Sequence, residues 1–338
     1  MRRLLVCLSA LFALSSAPLI FAATPAADIA DKDAEWFVSD QGREAMECIL
    51  SWQSSRGDWP KNKDTTSKRY TGDRSKLDGT FDNGATTGEL RALARAYEAT
   101  QDARYKTAFL AGFDHIVSAQ YPSGGWPQFS PPGKKYHRHI TFNDGSMIRL
   151  MEFLRDVSEP ADSLLLDQSR RTAAKQAIER GIECIVKCQI VVDGKLTVWC
   201  AQHDEQTLAP TKARDYELAT LSGSESAGVL RFLMSIEQPS PDVIRAVKAG
   251  VAWFDASRIE GYRYRRSKSE PNLVKASDAG PLWARFYEIE SNRPLFSDRD
   301  GIAKHRIEEI GAERRGGYSW YGNWGESVAK AFAKWPHR

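Results

Sequence analysis

No long run of alternating apolar and polar residues occurs in the 338-residue chain, which argues against a half-buried sheet as its frame. Net charge is nearly absent too. The 47 basic residues against 44 acidic ones leave +3, without the basic excess that a nucleic-acid partner requires. Beyond the first two dozen residues no apolar run is long enough to span a membrane. Cysteine is scarce: past the N-terminal segment only Cys48, Cys184, Cys188 and Cys200 occur. Cys184 and Cys188 lie at helical i, i+4 spacing, a poor disulfide geometry, and no histidine follows at zinc spacing. Buried thiols, or one bridge to a distant partner, fit better than a metal site.

The first residues read as an address. Met1-Arg2-Arg3 is basic, Leu4 to Ile20 is apolar but broken by Ser9, Ser15, Ser16 and Pro18, and Phe21-Ala22-Ala23 ends on small residues. That is the pattern of a cleaved signal peptide over 1–23. The remaining chain, 24–338, is expected to be one domain, secreted or periplasmic, a monomer with no membrane and no nucleic acid among its partners. Losing Arg2 and Arg3 brings the net charge from +3 to +1.

Helical periodicity is what the chain has in quantity. "GELRALARAYEAT", "SMIRLMEFLRDV", "RRTAAKQAIERGIECIVKCQ", "SAGVLRFLMSIE", "VIRAVKAGVAWFDAS" and "LWARFYEIES" place apolar residues at i, i+3, i+4 and i+7. One class of helix ends in a glutamine loop: "ILSWQSSRGDWPKN", "IVSAQYPSGGWPQF" and "IVKCQIVVDGKLTVWC". Gln53, Gln120 and Gln189 stand 67 and 69 residues apart (120 − 53 and 189 − 120), and "WFDASRIEGYRY" is a degenerate fourth copy. Repeated helical hairpins of this length pack around an axis or stack as a solenoid. A closed all-α toroid is the expected fold.

Loops at one end of such a toroid line a cleft, and these are rich in Gly, Trp, Tyr, Asn, Asp, Lys and Arg. Aromatic faces cover a sugar ring while guanidinium forks hold carboxylates. Among the loop tryptophans Trp59, Trp126, Trp320 and Trp324, Trp126 is assigned to substrate binding. "TFDNGAT" and "TFNDGSM" begin with the same residue types, with Asp and Asn exchanged, and set Asp82 and Asp144 in matching turns before inner helices. Helix capping is the simple reading of either. As a pair they could be acid and base of a glycosidase, or oxygen ligands for Ca²⁺. Arg214, Arg285, Arg293 and Arg299 favour an anionic polymer as ligand.

From "SWQ…GDWPKN" through "TFDNGATT", "SGGWPQF", "ITFNDGSM" and "DYELATLSGSESAG" to "WARFYEIESNRPLFSDRDG", the chain resembles the pectate lyases of polysaccharide lyase family 10. The resemblance implies an (α/α)₃ toroid that cleaves polygalacturonate by β-elimination with Ca²⁺. It implies that Asp82 and Asp144 serve the metal, that Arg214 and Arg285 bind substrate, and that Arg299, in the "RDG" turn, is the Brønsted base. An arginine base is chemically demanding, since a free guanidinium is effectively always charged; neighbouring cations and alkaline pH would help it.

Three other classes compete. The glutamine loop "FLAGFDHIVSAQYPSGGW" is similar to the repeat of triterpene cyclases, but no D-x-D-D acid run is present. An α/α-toroid glycoside hydrolase would need a carboxylic acid facing the aspartates, with Glu89 or Glu225 the nominees. A non-catalytic binder of acidic polysaccharide would keep the cleft without the chemistry.

Overall fold

The computed structural model describes residues 25–159 and 165–338, so the signal reading of 1–23 lies outside the described residues. Eleven α-helices occur among them: α1 (Ala26–Ile29), α2 (Ala34–Val38), α3 (Asp40–Ser51), α4 (Thr87–Thr100), α5 (Ala103–Ser118), α6 (Ser146–Ser158), α7 (Gln168–Cys188), α8 (Gly223–Met234), α9 (Pro241–Ala256), α10 (Ala312–Gly317) and α11 (Trp324–Lys334). Strands are confined to antiparallel ladders two or three residues long. None of the described helices is long and apolar enough to cross a membrane.

Three hairpins, α4–α5, α6–α7 and α8–α9, form the frame. The first helices of the pairs neighbour one another (α4 on α6, α6 on α8), and so do the second helices (α5 on α7, α7 on α9). The frame is thus the all-α (α/α)₃ toroid. α1 and α2 pack on α4, while α11 packs on α8 and α9. One buried apolar cluster runs from Ala26 to Trp335.

The repeat is written in hydrogen bonds. Gln53 Nε2 donates to Gly57 O in its own loop and to Ala108 O of α5. Gln120 does the same toward Gly124 and Ala177 of α7, and Gln189 toward Thr197 and Ala246 of α9. Each glutamine therefore closes its loop and ties it to the next outer helix. Four residues beyond each tied alanine stands a glycine whose added Cβ would strike the inner helix: Gly112 against Leu90, Gly181 against Met151, Gly250 against Leu230. In the fourth copy Ser257 takes the glutamine's place and accepts from Asn292 Nδ2 at 2.8 Å.

Trp59, Trp126 and Trp320 belong to this scaffold, which corrects the sugar-binding assignment of Trp126. Its side chain is 0% exposed and its Nε1 donates to Ile116 O at 2.8 Å. Trp59 and Trp199 make the same bond to Ile49 and Ile185, and Trp320 is equally buried. A ring with no accessible face cannot stack on a sugar.

"LWARFYEIES" is also corrected. In place of a helix, Trp283–Ala284 pairs with Tyr321–Gly322 and Phe286–Tyr287 with Leu221–Ser222. Arg285 N donates to Trp320 O and Arg285 O accepts from Gly223 N, so neighbouring loops take the backbone groups a helix would use. Bulky aromatics buried on both faces suit that extended course. All four described cysteines are free and buried, with Cys184 Sγ 3.9 Å from Cys188 Sγ.

Candidate functional site

Outer helices α5, α7 and α9 start on side-chain caps from Asp102, Asp167 and Ser240. The inner helices α4 and α6 have none, and neither Asp82 nor Asp144 caps a helix. The capping reading of the two aspartates is therefore wrong. Both turns reverse the chain through a left-handed residue followed by a glycine: Asn83 (φ 55) with Gly84, and Asp144 (φ 50) with Gly145. Asparagine and aspartate tolerate that conformation because their short polar side chains bond locally.

Exchanging Asp and Asn thus moves the carboxylate between unlike places in one turn. Asp82 is on the buried point, where its side chain is 4% exposed. It accepts from Lys61 Nζ and, at 2.6 Å, from Gln128 Nε2. Asp144 is on the left-handed point, with its side chain 44% exposed. The turns touch, since Ser146 Oγ donates to Phe81 O at 3.0 Å.

From Asp144 a line of contacts runs through the neighbouring loops. Arg285 Nη2 lies 3.2 Å from Asp144 Oδ1, also pairs with buried Glu225, and reaches Asn143 Oδ1 at 3.4 Å. Burial opposes its charge, yet Glu225, Tyr318 and Asp144 together raise its pKa above the ordinary arginine value. Its guanidinium lies 4.6 Å above the Tyr318 ring. Tyr318 Oη donates to Glu217 Oε1 at 2.9 Å, and Glu217 holds Arg214.

Arg214, Arg314 and Arg299 then surround one ring, with guanidinium carbons 4.8, 4.3 and 5.8 Å from the Tyr216 centroid. The bond to Glu217 raises the Arg214 pKa. Arg299 is the most open, 67% exposed, with Nη2 3.3 Å from Glu313 Oε1. Arg314, with Arg299 behind it, holds the Glu313 carboxyl at about 2. Burial raises the Tyr136 phenol, and Arg214 opposes that rise while Glu217, Tyr216 and Asp82 add to it.

Asp144, Arg285, Arg214 and Arg299 therefore belong to one connected cluster, with Asp82 on the adjoining turn. Trp126 is not part of it. Sequence reasoning missed Lys61, Glu217, Arg314 and Tyr318. Lys61 and Glu217 lie inside the quoted motifs "GDWPKN" and "DYEL", but nothing in those strings shows what they touch.

Two places bear on a metal. Asp144 offers exposed oxygen, the donor that Ca²⁺ takes, whereas Asp82 is already matched by Lys61. Among the described residues the group of His139, Asp204 and Glu205 has its donor atoms within 4.8 Å of one another. It suits Ca²⁺ poorly: one donor is an imidazole, and Arg138 Nε already sits 3.1 Å from Glu205.

The hydrolase nominees are poorly placed. Glu225 is engaged by Arg285 and Ser222. Glu89 is buried, which lifts its pKa to about 6, and it accepts from Thr65 Oγ1 at 2.9 Å.

The family model described as pectic acid lyase matches residues 53–329. No curated protein matches the chain. Two solved structures are similar. One is a mutant of a family 10 polysaccharide lyase from Cellvibrio cellulosa in complex with trigalacturonic acid: 38% identity, TM-score 0.82, covering 92% of this chain and 97% of that one. The other is a family 10 polysaccharide lyase from the same organism, at 38% identity and TM-score 0.82, covering 93% of this chain and 97% of that one. With the matched model spanning most of the sequence and the toroid shared throughout, this chain belongs to the pectic acid lyase family and is a polysaccharide lyase.

Proposed function

We propose that the chain cleaves polygalacturonate by Ca²⁺-assisted anti β-elimination, releasing unsaturated oligogalacturonides. The observation that carries the reading is the cluster itself. One exposed aspartate and four arginines, arranged on Tyr318 and Tyr216, suit a polymer with a carboxylate on every ring. The solved relative in complex with trigalacturonic acid supports the same substrate class.

Elimination removes the C5 proton, α to the carboxylate, and expels the C4 oxygen. Bound Ca²⁺ would neutralise charge on that carboxylate as the enolate develops. Asp144 would hold it, with Asp82 joining if Lys61 gives way. Two carboxylates are fewer than the six to eight oxygens Ca²⁺ takes, so substrate carboxylates and water would have to supply the rest. Arg285, fixed by Glu225 and Asp144, presents a charge that needs no reorganisation during the reaction.

Arg299 is our choice of base. It has the loosest carboxylate partner of the three arginines around Tyr216 and is the most exposed of them. A second reading gives the proton to Arg214, whose guanidinium lies over the same Tyr216 ring and whose side chain is 43% exposed.

The purified protein should convert polygalacturonate to ultraviolet-absorbing products and lose that activity to a chelator. New reducing ends without the absorbance would make it a hydrolase; binding without turnover would make it a binder. We also infer export through residues 1–23 and action as a monomer, checked by N-terminal sequencing of the secreted protein and by light scattering.

A further inference from the structure

We propose that Glu217 is a positioning residue of this cleft, aiming Arg214 directly and Arg285 through the Tyr318 ring. The inference rests on the lyase reading above and deepens it. Glu217 is buried, and no step of the elimination uses it. A buried carboxylate needs a reason, because desolvating a charge is unfavourable unless its partners are fixed around it.

Its partners are fixed on two sides. The turn from Arg214 to Glu217 is closed by Glu217 N donating to Arg214 O at 2.8 Å and by Ala213 N donating to Glu217 O at 2.9 Å. Within it Oε2 accepts from Arg214 Nε at 2.7 Å and from Arg214 N at 3.2 Å, while Oε1 accepts from Arg214 Nη2. That fork removes the rotational freedom of a long side chain that is otherwise exposed, and lays the guanidinium on Tyr216. On the far side Tyr318 Oη donates to the same Oε1 at 2.9 Å. The Tyr318 ring so held is the platform under Arg285. One carboxylate therefore registers two cleft cations against each other, and hence against successive carboxylates of an anionic chain. A turn stabiliser would need neither the fork nor the tyrosine.

The test is a double-mutant cycle with a binding arm. Glu217→Gln keeps the side-chain shape but loses the charge and one acceptor oxygen. We expect its kcat/KM on polygalacturonate to fall about tenfold or more, with an unfolding midpoint close to wild type. In an Arg214→Lys background the same change should cost no more than about twofold, because residues acting as a unit are non-additive. Unchanged turnover in Glu217→Gln, or losses that simply multiply, would overturn the proposal. Calorimetric titration with trigalacturonate separates this from failure of the lyase reading. If wild type binds but does not turn over, the lyase reading fails alone. If Glu217→Gln binds trigalacturonate as tightly as wild type, the Glu217 role fails alone. Should Glu217→Gln not fold, Tyr318→Phe decides: it keeps the ring, frees it from Glu217, and should weaken trigalacturonate binding several-fold. Equal affinity there would also overturn the proposal.

Discussion

Asp144 Oδ1 and Arg285 Nη2, 141 positions apart in the chain, meet at 3.2 Å. The contact joins the exposed carboxylate offered to a metal to a guanidinium that is 9% exposed and already paired with Glu225. On the proposed reading, metal capture and substrate binding would be coupled through this contact.

Asp144→Asn tests the carboxylate with little risk to the fold. Asn83 occupies the same left-handed point of the other turn, so asparagine fits the backbone there. With Asp144 half in solvent, its ion pair adds little to stability. Thermal unfolding should stay within about 1 kcal/mol of wild type, while activity drops about 100-fold or more and excess Ca²⁺ fails to restore it. Full activity would remove Asp144 from the metal.

Arg285→Ala should behave differently. It strips Glu225, itself buried, of its cation, and an uncompensated buried charge costs about 3–5 kcal/mol. Denaturant unfolding should show that loss beside the loss of turnover. A variant of native stability would mean that Glu225 finds another partner.

Gln53→Ala probes the repeat rather than the site. It removes donors to Gly57 O (3.1 Å) and Ala108 O (2.8 Å) in a buried setting, worth about 1–3 kcal/mol. Activity at a permissive temperature should be retained, with a lower unfolding midpoint. A stable Gln53→Ala would show that the glutamine is not a staple.

Stability should also record Glu89. Burial raises its pKa from 4.5 to about 6, so the folded state holds the proton more tightly than the unfolded one. The stabilisation is complete below pH 4.5 and disappears as pH rises through 6, a difference of about 2 kcal/mol at 1.36 kcal/mol per pH unit. Glu89→Gln should flatten that part of the stability profile and raise stability above pH 6. An unaltered profile would mean the acid is not held protonated.

What could be read in the sequence follows from the range of the forces involved. Helical hairpins show in local periodicity, and Gln53, Gln120 and Gln189 recur because one loop-to-helix bond recurs. The two aspartate turns were visible as a pair, but not the difference between them, because that depends on which residue takes the left-handed angle. Trp126 reads as a ligand platform by composition; only packing shows its ring closed in. Residues 283–287 have helical spacing and extended structure, since their backbone partners, Trp320 and Gly223, lie far off in sequence. Lys61, Glu217, Arg314 and Tyr318 escaped for the same reason. Their meaning lies in contacts that span up to 101 positions, as between Glu217 and Tyr318.

The base is settled by pH, not by loss of activity, since removing either Arg214 or Arg299 should disable the cleft. Lysine releases its proton at about 10.4, well below arginine. If Arg299 takes the C5 proton, Arg299→Lys should move the rising limb of kcat to lower pH by roughly one to two units at a reduced maximum. Arg214→Lys, which loosens the fork on Glu217, should then raise KM and leave the limb where it was. The opposite pattern, with only the Arg214→Lys profile moving, would transfer the proton to Arg214 and leave Arg299 as one more cation around Tyr216. A limb that neither substitution moves would exclude both as the base.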